Sequence, residues 1–228
     1  MTTAEYLEDL FGLHGQVAVV IGGAGELGGA LCEGILRAGA HVVIADLLEE
    51  ACRRRLEQLR EFSDKVSYCL VDVTKRESLE NLLEFAKKIK GRVEILVNCA
   101  GINAGSSFLE ASPEMWDKIM AVNLKGVFEA CQVFIAHMLE AGGGSILNIG
   151  SVTSTLPLSR VFAYAASKRR WSTSPRISLM SSEIRVLGSM QFARASSLQN
   201  RIADFSTRNG SAISLTARPC IALESRMS

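Results

Sequence analysis

Tyr164 and Lys168 stand four residues apart in Tyr164-Ala165-Ala166-Ser167-Lys168, and Ser151 lies thirteen residues upstream of the tyrosine. A spacing of four puts two side chains on one face of a helix. A phenol ordinarily titrates near ~10 and a lysine near ~10.4. An ammonium held beside a phenol favours the phenolate, so a tyrosine in this pairing can pass a proton near neutral pH. Immediately after Lys168 the composition changes. Residues 1–168 carry 16 Lys+Arg and 21 Asp+Glu, a balance of −5; residues 169–228 carry 9 Arg, no Lys and 3 acids, a balance of +6. Serine rises from 11 residues in the first stretch to 13 in the second, while glycine falls from 17 to 2.

The elements that must position this pair follow from the patterning upstream. Short apolar runs (Val17–Ile21, His41–Ala45, Val66–Val71, Glu94–Asn98 and Ser145–Ile149) alternate with helical stretches near 27–38, 49–62, 78–89 and 113–137. Strands that are continuously apolar and separated by helices belong to a parallel sheet covered on both faces. Short crossovers make the fold class α/β, a doubly wound parallel sheet of Rossmann type. A chain of 228 residues suffices for one such domain with a sizeable core. Composition divides it into a folded part, 1–168, and an Arg/Ser-rich tail, 169–228, where no period of 2 or 3.6 persists and Pro175 breaks the tyrosine helix.

Gly22-Gly23-Ala24-Gly25-Glu26-Leu27-Gly28-Gly29 follows the first strand and opens the first crossover helix. In that setting glycines let the backbone turn tightly and approach a pyrophosphate held at the helix N-terminus. Asp46 ends the second strand, 18 residues beyond Gly28. A carboxylate there can accept hydrogen bonds from both ribose hydroxyls and repels a 2′-phosphate, which favours NAD over NADP. A tight turn followed by a capping aspartate is the plainer alternative. Asp72 ends the third strand, where it meets an adenine edge or serves as a turn acid. Asn98-Cys99-Ala100-Gly101 ends the fourth strand, either as a close backbone approach to the cofactor or as a simple strand-to-loop turn.

Other functions find little support. A net charge of +1 selects no partner, and the basic tail is read as solvated surface rather than a nucleic-acid arm. Cys32, Cys52, Cys69, Cys99, Cys131 and Cys220 form no CxxC pair, which fits reduced thiols and a cytoplasmic location. His14, His41 and His137 lack metal-ligand spacing. The acidic start Met1–Leu10 does not read as a signal peptide, and no apolar run approaches ~20 residues, so no membrane span is expected.

Together these residues resemble the short-chain dehydrogenase/reductase family. The resemblance covers roughly residues 12–168. It rests on the glycine loop, Asp72-Val73, Asn98-Cys99-Ala100-Gly101, Asn123 in Ala121-Val-Asn-Leu124, Ser151 and Tyr164-x-x-x-Lys168. It implies a catalytic set of Asn123, Ser151, Tyr164 and Lys168. Tyr164 would exchange the proton with the substrate oxygen, and Ser151 would hydrogen-bond that oxygen. Lys168 would lower the tyrosine pKa and hold the nicotinamide ribose, and Asn123 would anchor a water. The implied cofactor-binding set is Gly22, Gly23, Ala24, Gly25, Leu27, Gly28, Asp46, Asp72, Val73, Asn98, Ala100, Gly101, Tyr164 and Lys168. The implied partner is a small-molecule substrate, with hydride passing between a nicotinamide and a carbonyl or secondary alcohol. Homotetramers are common in the family but doubtful for this chain. Ile21, Glu26 and Cys99 depart from the family's usual threonine, glycine and asparagine, and Glu26 is expected to point to solvent.

The family pattern would continue past Lys168 into a strand reading R-V-N-x-x-x-P-G, which the chain lacks. Codon arithmetic offers an account. When each codon is taken as the third base of one residue and the first two of the next, Met190 into Gln191 can only give alanine. The stretch from Arg185 to Ala203 then permits G-V-R-V-N-A-I-C-P-G-F-F-P-A-E-Q-N-R, and Lys168–Pro175 permits A-A-V-V-N-L-T. A nucleotide missing at the Lys168 codon would produce this frameshift. The recovered string, with Glu26 and Leu156–Arg160, resembles the family branch that interconverts D-mannonate and D-fructuronate. The alternatives are a 3-oxoacyl or other carbonyl reductase, or an NAD-binding protein without turnover. With later strands lost, one sheet edge is expected to lie uncovered.

Overall fold

The computed structural model describes residues 2–154, 159–172 and 184–190, all within a compact unit that spans Met1–Phe192. The sequence-based expectations for Leu156 to Leu158, for Pro175 and for the stretch from 191 onward, Cys220 included, fall outside those residues. Six parallel strands, β1 (Val17–Ile21), β2 (His41–Asp46), β3 (Val66–Leu70), β4 (Ile95–Asn98), β5 (Gly144–Ile149) and β6 (Ile184–Met190), stand in the order β3-β2-β1-β4-β5-β6. The helices are α1 (Thr3–Phe11), α2 (Glu26–Arg37), α3 (Glu49–Arg60), α4 (Arg76–Lys90), α5 (Pro113–Met120), α6 (Val127–Glu140) and α7 (Phe162–Ser172). The expected doubly wound α/β sheet is present.

Period-two alternation in the strands feeds two cores. Val17, Val19, Ile21, Val43, Ala45, Leu96 and Ile146 face α4 and α6, packing on Leu79, Leu82, Ala86, Ala130, Phe134 and Met138. Val20, Val42, Ile44, Val66, Val97 and Ile149 face α2 and α3, packing on Cys32, Leu36, Cys52 and Leu59. All five residues of β1 are buried, since both faces are covered and both edges are paired. The chain reverses its winding at β1, which pairs Ile21 with Ala45 on one side and with Asn98 on the other. A crevice opens beyond the carboxyl ends of strands at such a switch point.

Three differences from the sequence reading have physical reasons. First, the acidic start forms a helix, because Thr2 and Glu5 make a reciprocal capping box. Second, a strand at Ile184–Met190 pairs with β5, within the stretch where the sequence shows no sustained period. The tyrosine helix likewise continues past Lys168 to Ser172, so regular structure crosses the boundary that composition suggested at 168/169. Third, the helical stretch 113–140 is not uniform: Ala121–Gly126 is a π-helical turn between α5 and α6. That 28-residue run contains an 18-residue window of mean hydropathy 1.4, long and apolar enough to cross a membrane by length and composition alone. Its apolar residues Ile119, Val127, Val133 and Phe134 are buried in this fold, as in the core helix of a globular domain. The free cysteines Cys32, Cys52 and Cys131 are buried, and burial pushes the Cys32 thiol up to about 12.

Burial also lowers the pKa of His41 and of His137, whose Nε2 accepts the Val93 N–H at 3.1 Å. The folded state therefore prefers both rings neutral, and the unfolded chain takes up their protons first. Stability from these rings is complete above ~6.5 and is lost as pH falls below it. The carboxylates whose pKa values are lowered, such as Glu49 and Asp72, act only in a more acidic window. The cofactor-free protein should lose about 1 kcal/mol, or a few degrees in Tm, between pH 7.5 and 5.5. His137→Gln, whose amide oxygen can accept the same bond, should lose less; thermal melts across that range check this.

Candidate active site

The crevice beyond β1 and β4 holds a cavity of about 530 Å³. The glycine loop forms one wall. Gly22 has φ +82°, and a Cβ there would lie 2.5 Å from the Ala100 nitrogen, so the loops after β1 and β4 touch backbone to backbone. A Cβ on Gly28 would lie 2.0 Å from the Gly22 oxygen, so α2 packs directly on the loop. Gly25 caps α2 without any side-chain acceptor. Among the described residues no side chain caps the first-turn amides of α2, which leaves them available to an anion at the positive end of the helix. This donor set fits a pyrophosphate.

The sequence-derived cofactor residues separate into two groups. Gly22, Gly25, Leu27, Gly28, Asp46, Asp72, Val73, Ala100 and Gly101 line the cavity. Gly23, Ala24, Asn98, Tyr164 and Lys168 are not among its lining residues. Gly23 is buried against Val20 and Cys32, and the Ala24 N–H donates to Asp46 Oδ2 at 3.2 Å. Asn98 is turned inward: its Nδ2 donates to Asn148 Oδ1 at 2.8 Å and lies 3.5 Å from Cys131 Sγ. The Asn98 side chain is thus a strut between β4 and β5, which pair these two asparagines in register. Asp72 stands two residues beyond the end of β3, where Thr74 donates to Oδ1 from both its hydroxyl (2.6 Å) and its N–H (3.0 Å). Glu26 is exposed, yet it also lines the cavity.

Sequence reasoning overlooked Leu47 and Leu48, which line the cavity at 63% and 64% exposure, and also Lys118 and Val122. Two leucines directly after the strand-ending Asp46 were the available signal, since apolar side chains at a loop tip call for a partner surface.

The residues expected to handle the proton gather around Gly101 and the end of β5. Lys168 is 3% exposed, and its Nζ donates to the Ile149 carbonyl at 3.0 Å. A Cβ on Gly101 would lie 3.4 Å from that Nζ, which ties the cavity wall to the lysine. Ser151 Oγ accepts from Thr153 Oγ1 at 3.0 Å and from the Thr153 N–H at 3.3 Å, within the 3₁₀ turn Val152–Ser154. With its lone pairs engaged there, the Ser151 hydroxyl is set to donate its own proton. Asn123 is fully buried in the π-helical turn. Its Oδ1 accepts the Ile102 N–H at 2.8 Å, and its Nδ2 donates to the Ile102 carbonyl at 2.9 Å and to Ser167 Oγ at 3.1 Å. Ser167 Oγ in turn donates to the Tyr164 carbonyl at 2.7 Å. Asn123 thereby joins the loop after β4 to the tyrosine helix.

One electrostatic expectation is corrected. The Tyr164 pKa is raised, because burial disfavours the phenolate more than Ser151 favours it. Lys168 Nζ stands 6.0 Å from the Tyr164 ring centroid, and burial lowers the lysine's own pKa. In this state desolvation outweighs any pull of the lysine on the phenol, so Tyr164 is held as the neutral acid. Burial also pushes the neighbouring Cys99 thiol up to about 11 despite the pull of Lys168. Among the described residues no group of three or more His, Cys, Asp or Glu side chains is arranged to hold a metal.

Asn123→Ala would orphan the Ile102 N–H and carbonyl in a buried site. It should cost about 3 kcal/mol of stability, read from chemical denaturation of the cofactor-free protein.

The short chain dehydrogenase family model matches residues 16–186. An NAD-dependent glycerol dehydrogenase of Listeria innocua serovar 6a is 35% identical over 159 residues, covering 69% of this chain and 61% of that protein. A 5-keto-D-gluconate 5-reductase of Escherichia coli strain K12 is 32% identical over 162 residues, covering 71% of this chain and 64% of its own length. The crystal structure of a gluconate 5-dehydrogenase from Burkholderia cenocepacia J2315, in complex with NADP and tartrate, superposes with a TM-score of 0.66 at 32% identity, covering 72% of this chain and 64% of that one. The chain thus spans about three fifths of the length of the curated relatives it matches. With the glycine loop, the switch-point crevice and the Tyr164–Lys168 helix in their places, this chain belongs to the short chain dehydrogenase family.

Proposed function

We propose that this chain is built to bind a nicotinamide dinucleotide along the crevice and to serve hydride transfer between it and a carbonyl or secondary alcohol. The observation that carries the reading is the convergence of Ser151, Tyr164 and Lys168 beyond the ends of β4 and β5, joined to the glycine-loop cavity through Gly101. The nicotinamide, when bound, supplies the hydride or accepts it. The protein's share is position and proton traffic. Ser151 donates toward the substrate oxygen, and Tyr164, neutral at neutral pH, gives its proton to that oxygen as a carbonyl is reduced. The buried Lys168 ammonium, braced on the Ile149 carbonyl, stabilises the phenolate left behind. NAD is the preferred cofactor because the Asp46 carboxylate at the end of β2 would repel a 2′-phosphate.

The substrate is a sugar acid of the D-fructuronate/D-mannonate type. Support comes from the residues that the alternative frame after Lys168 would encode, from Glu26, and from relatives named for keto-gluconate and gluconate chemistry. In this reading residues 169–228 result from a frameshift, and the parent protein works in a reduced, intracellular compartment. A second reading, dinucleotide binding without turnover, is favoured by the composition switch after Lys168.

NAD and NADP assays with D-fructuronate, D-mannonate, gluconate and glycerol separate these readings: binding without any NADH signal favours the second. Coding DNA that fails to spell the alternative-frame motif after the Lys168 codon removes the frameshift. Tyr164→Phe should lower kcat by roughly 10²–10⁴ while leaving NAD affinity within a few-fold. Because the Tyr164 pKa is raised, alcohol oxidation, which needs the phenolate, should climb from pH 7 to 10. Carbonyl reduction, which needs the phenol, should not rise over that range.

A further inference from the structure

We propose that Arg55, on α3, is a positioning residue for the cofactor's pyrophosphate, acting by fixing the Gly25 peptide at the start of α2. The inference rests on the dinucleotide reading above and adds a residue outside the sequence-derived site. Gly25 is the N-cap of α2 and offers no side chain to hold its own turn. Arg55 supplies the missing restraint from the neighbouring helix: its terminal amino group donates to the Gly25 carbonyl at 3.3 Å. That same carbonyl accepts the Gly29 N–H at 2.8 Å, so the first turn of α2 is pinned from inside and outside.

The guanidinium reaches the loop because Gly29 leaves a notch. A Cβ on Gly29 would lie 2.3 Å from the Arg55 guanidinium carbon and 2.4 Å from its Nε. The Nε is buried without a hydrogen-bond partner among the described residues, so the group is held here by its terminal contact and by packing, at the cost of an unpaired donor. The Arg55 charge also opposes the effect of burial on the Cys32 thiol of α2, so it acts across to that helix. Such a charge beside the N-terminus of α2 adds to the positive field that an anion meets there. It also counters Glu26, the acid that follows Gly25 directly and lines the same cavity.

The test uses the full chain. Arg55→Met removes the restraint, Arg55→Lys keeps a charge with a donor, and Gly29→Ala closes the notch while leaving Arg55 in the sequence. NADH titration should show Kd raised roughly tenfold in Arg55→Met and Gly29→Ala, with partial recovery in Arg55→Lys. The loss in Arg55→Met should shrink when Glu26→Gly is added, a coupling that a purely structural arginine would not produce. Amide exchange in the cofactor-free protein should quicken several-fold at residues 22–29 in Arg55→Met and stay unchanged in β4 and β5. Wild-type binding with Kd and loop exchange unaltered in both variants overturns the positioning role alone. A wild-type chain that binds neither NADH nor NADPH overturns the dinucleotide reading and the cofactor half of this one, whatever the exchange rates show.

Discussion

The buried amide of Asn123 is the contact on which the rest of the site depends. A carboxamide without solvent access must satisfy both its ends inside the protein, and among the described residues three groups meet it. Two belong to the backbone of Ile102, just past the cavity wall, and the third is Ser167, inside the tyrosine helix. The amide is aimed by the π-helical turn, which bends the hydrogen-bond ladder where a uniform helix would not. Loop, turn and tyrosine helix are thus locked by one side chain. The position of Lys168 relative to Gly101 follows from that lock.

Burial then governs the electrostatics. Desolvation raises Tyr164 and lowers Lys168, so each group is pushed toward its neutral form. The Ile149 carbonyl and the Ser151 hydroxyl partly oppose this, one by accepting from the ammonium and the other by interacting with the phenol oxygen. Charge on this pair is costly until a further polar group arrives, which would suit the proton transfer proposed for it.

Much of this was legible in the sequence. Alternation of apolar runs gave the strands to within a residue or two, because a sheet covered on both faces demands continuous apolar runs. The glycine loop was legible because Gly22 and Gly28 sit where no side chain fits. What escaped notice depended on partners far along the chain. Asn98 reads by local pattern as a strand end that meets the cofactor or a turn, yet its amide is spent on Asn148, 50 positions away. Arg55 reads as an ordinary exposed helix residue, and only the notch at Gly29 reveals its direction. The lysine effect on Tyr164 was overestimated because spacing along a helix reports which side chains share a face and says nothing of their desolvation. β6 escaped because an edge strand needs backbone pairing along one side only, a weak demand on side-chain pattern.

The π-helical turn has one more consequence, in terms of chain length. A widened turn accommodates one residue more than an α-helical path of the same rise, so Ala121–Gly126 behaves as a one-residue insertion between two helices. Downstream of it the buried face of α6 is rotated by about 100° from where an unbroken helix would carry it. Excising a single residue there would restore a regular helix, but it would swing Val127, Ala130 and Phe134 off the sheet together. Chain length between Ile119 and Val127 is therefore as tightly specified as any side chain in the site.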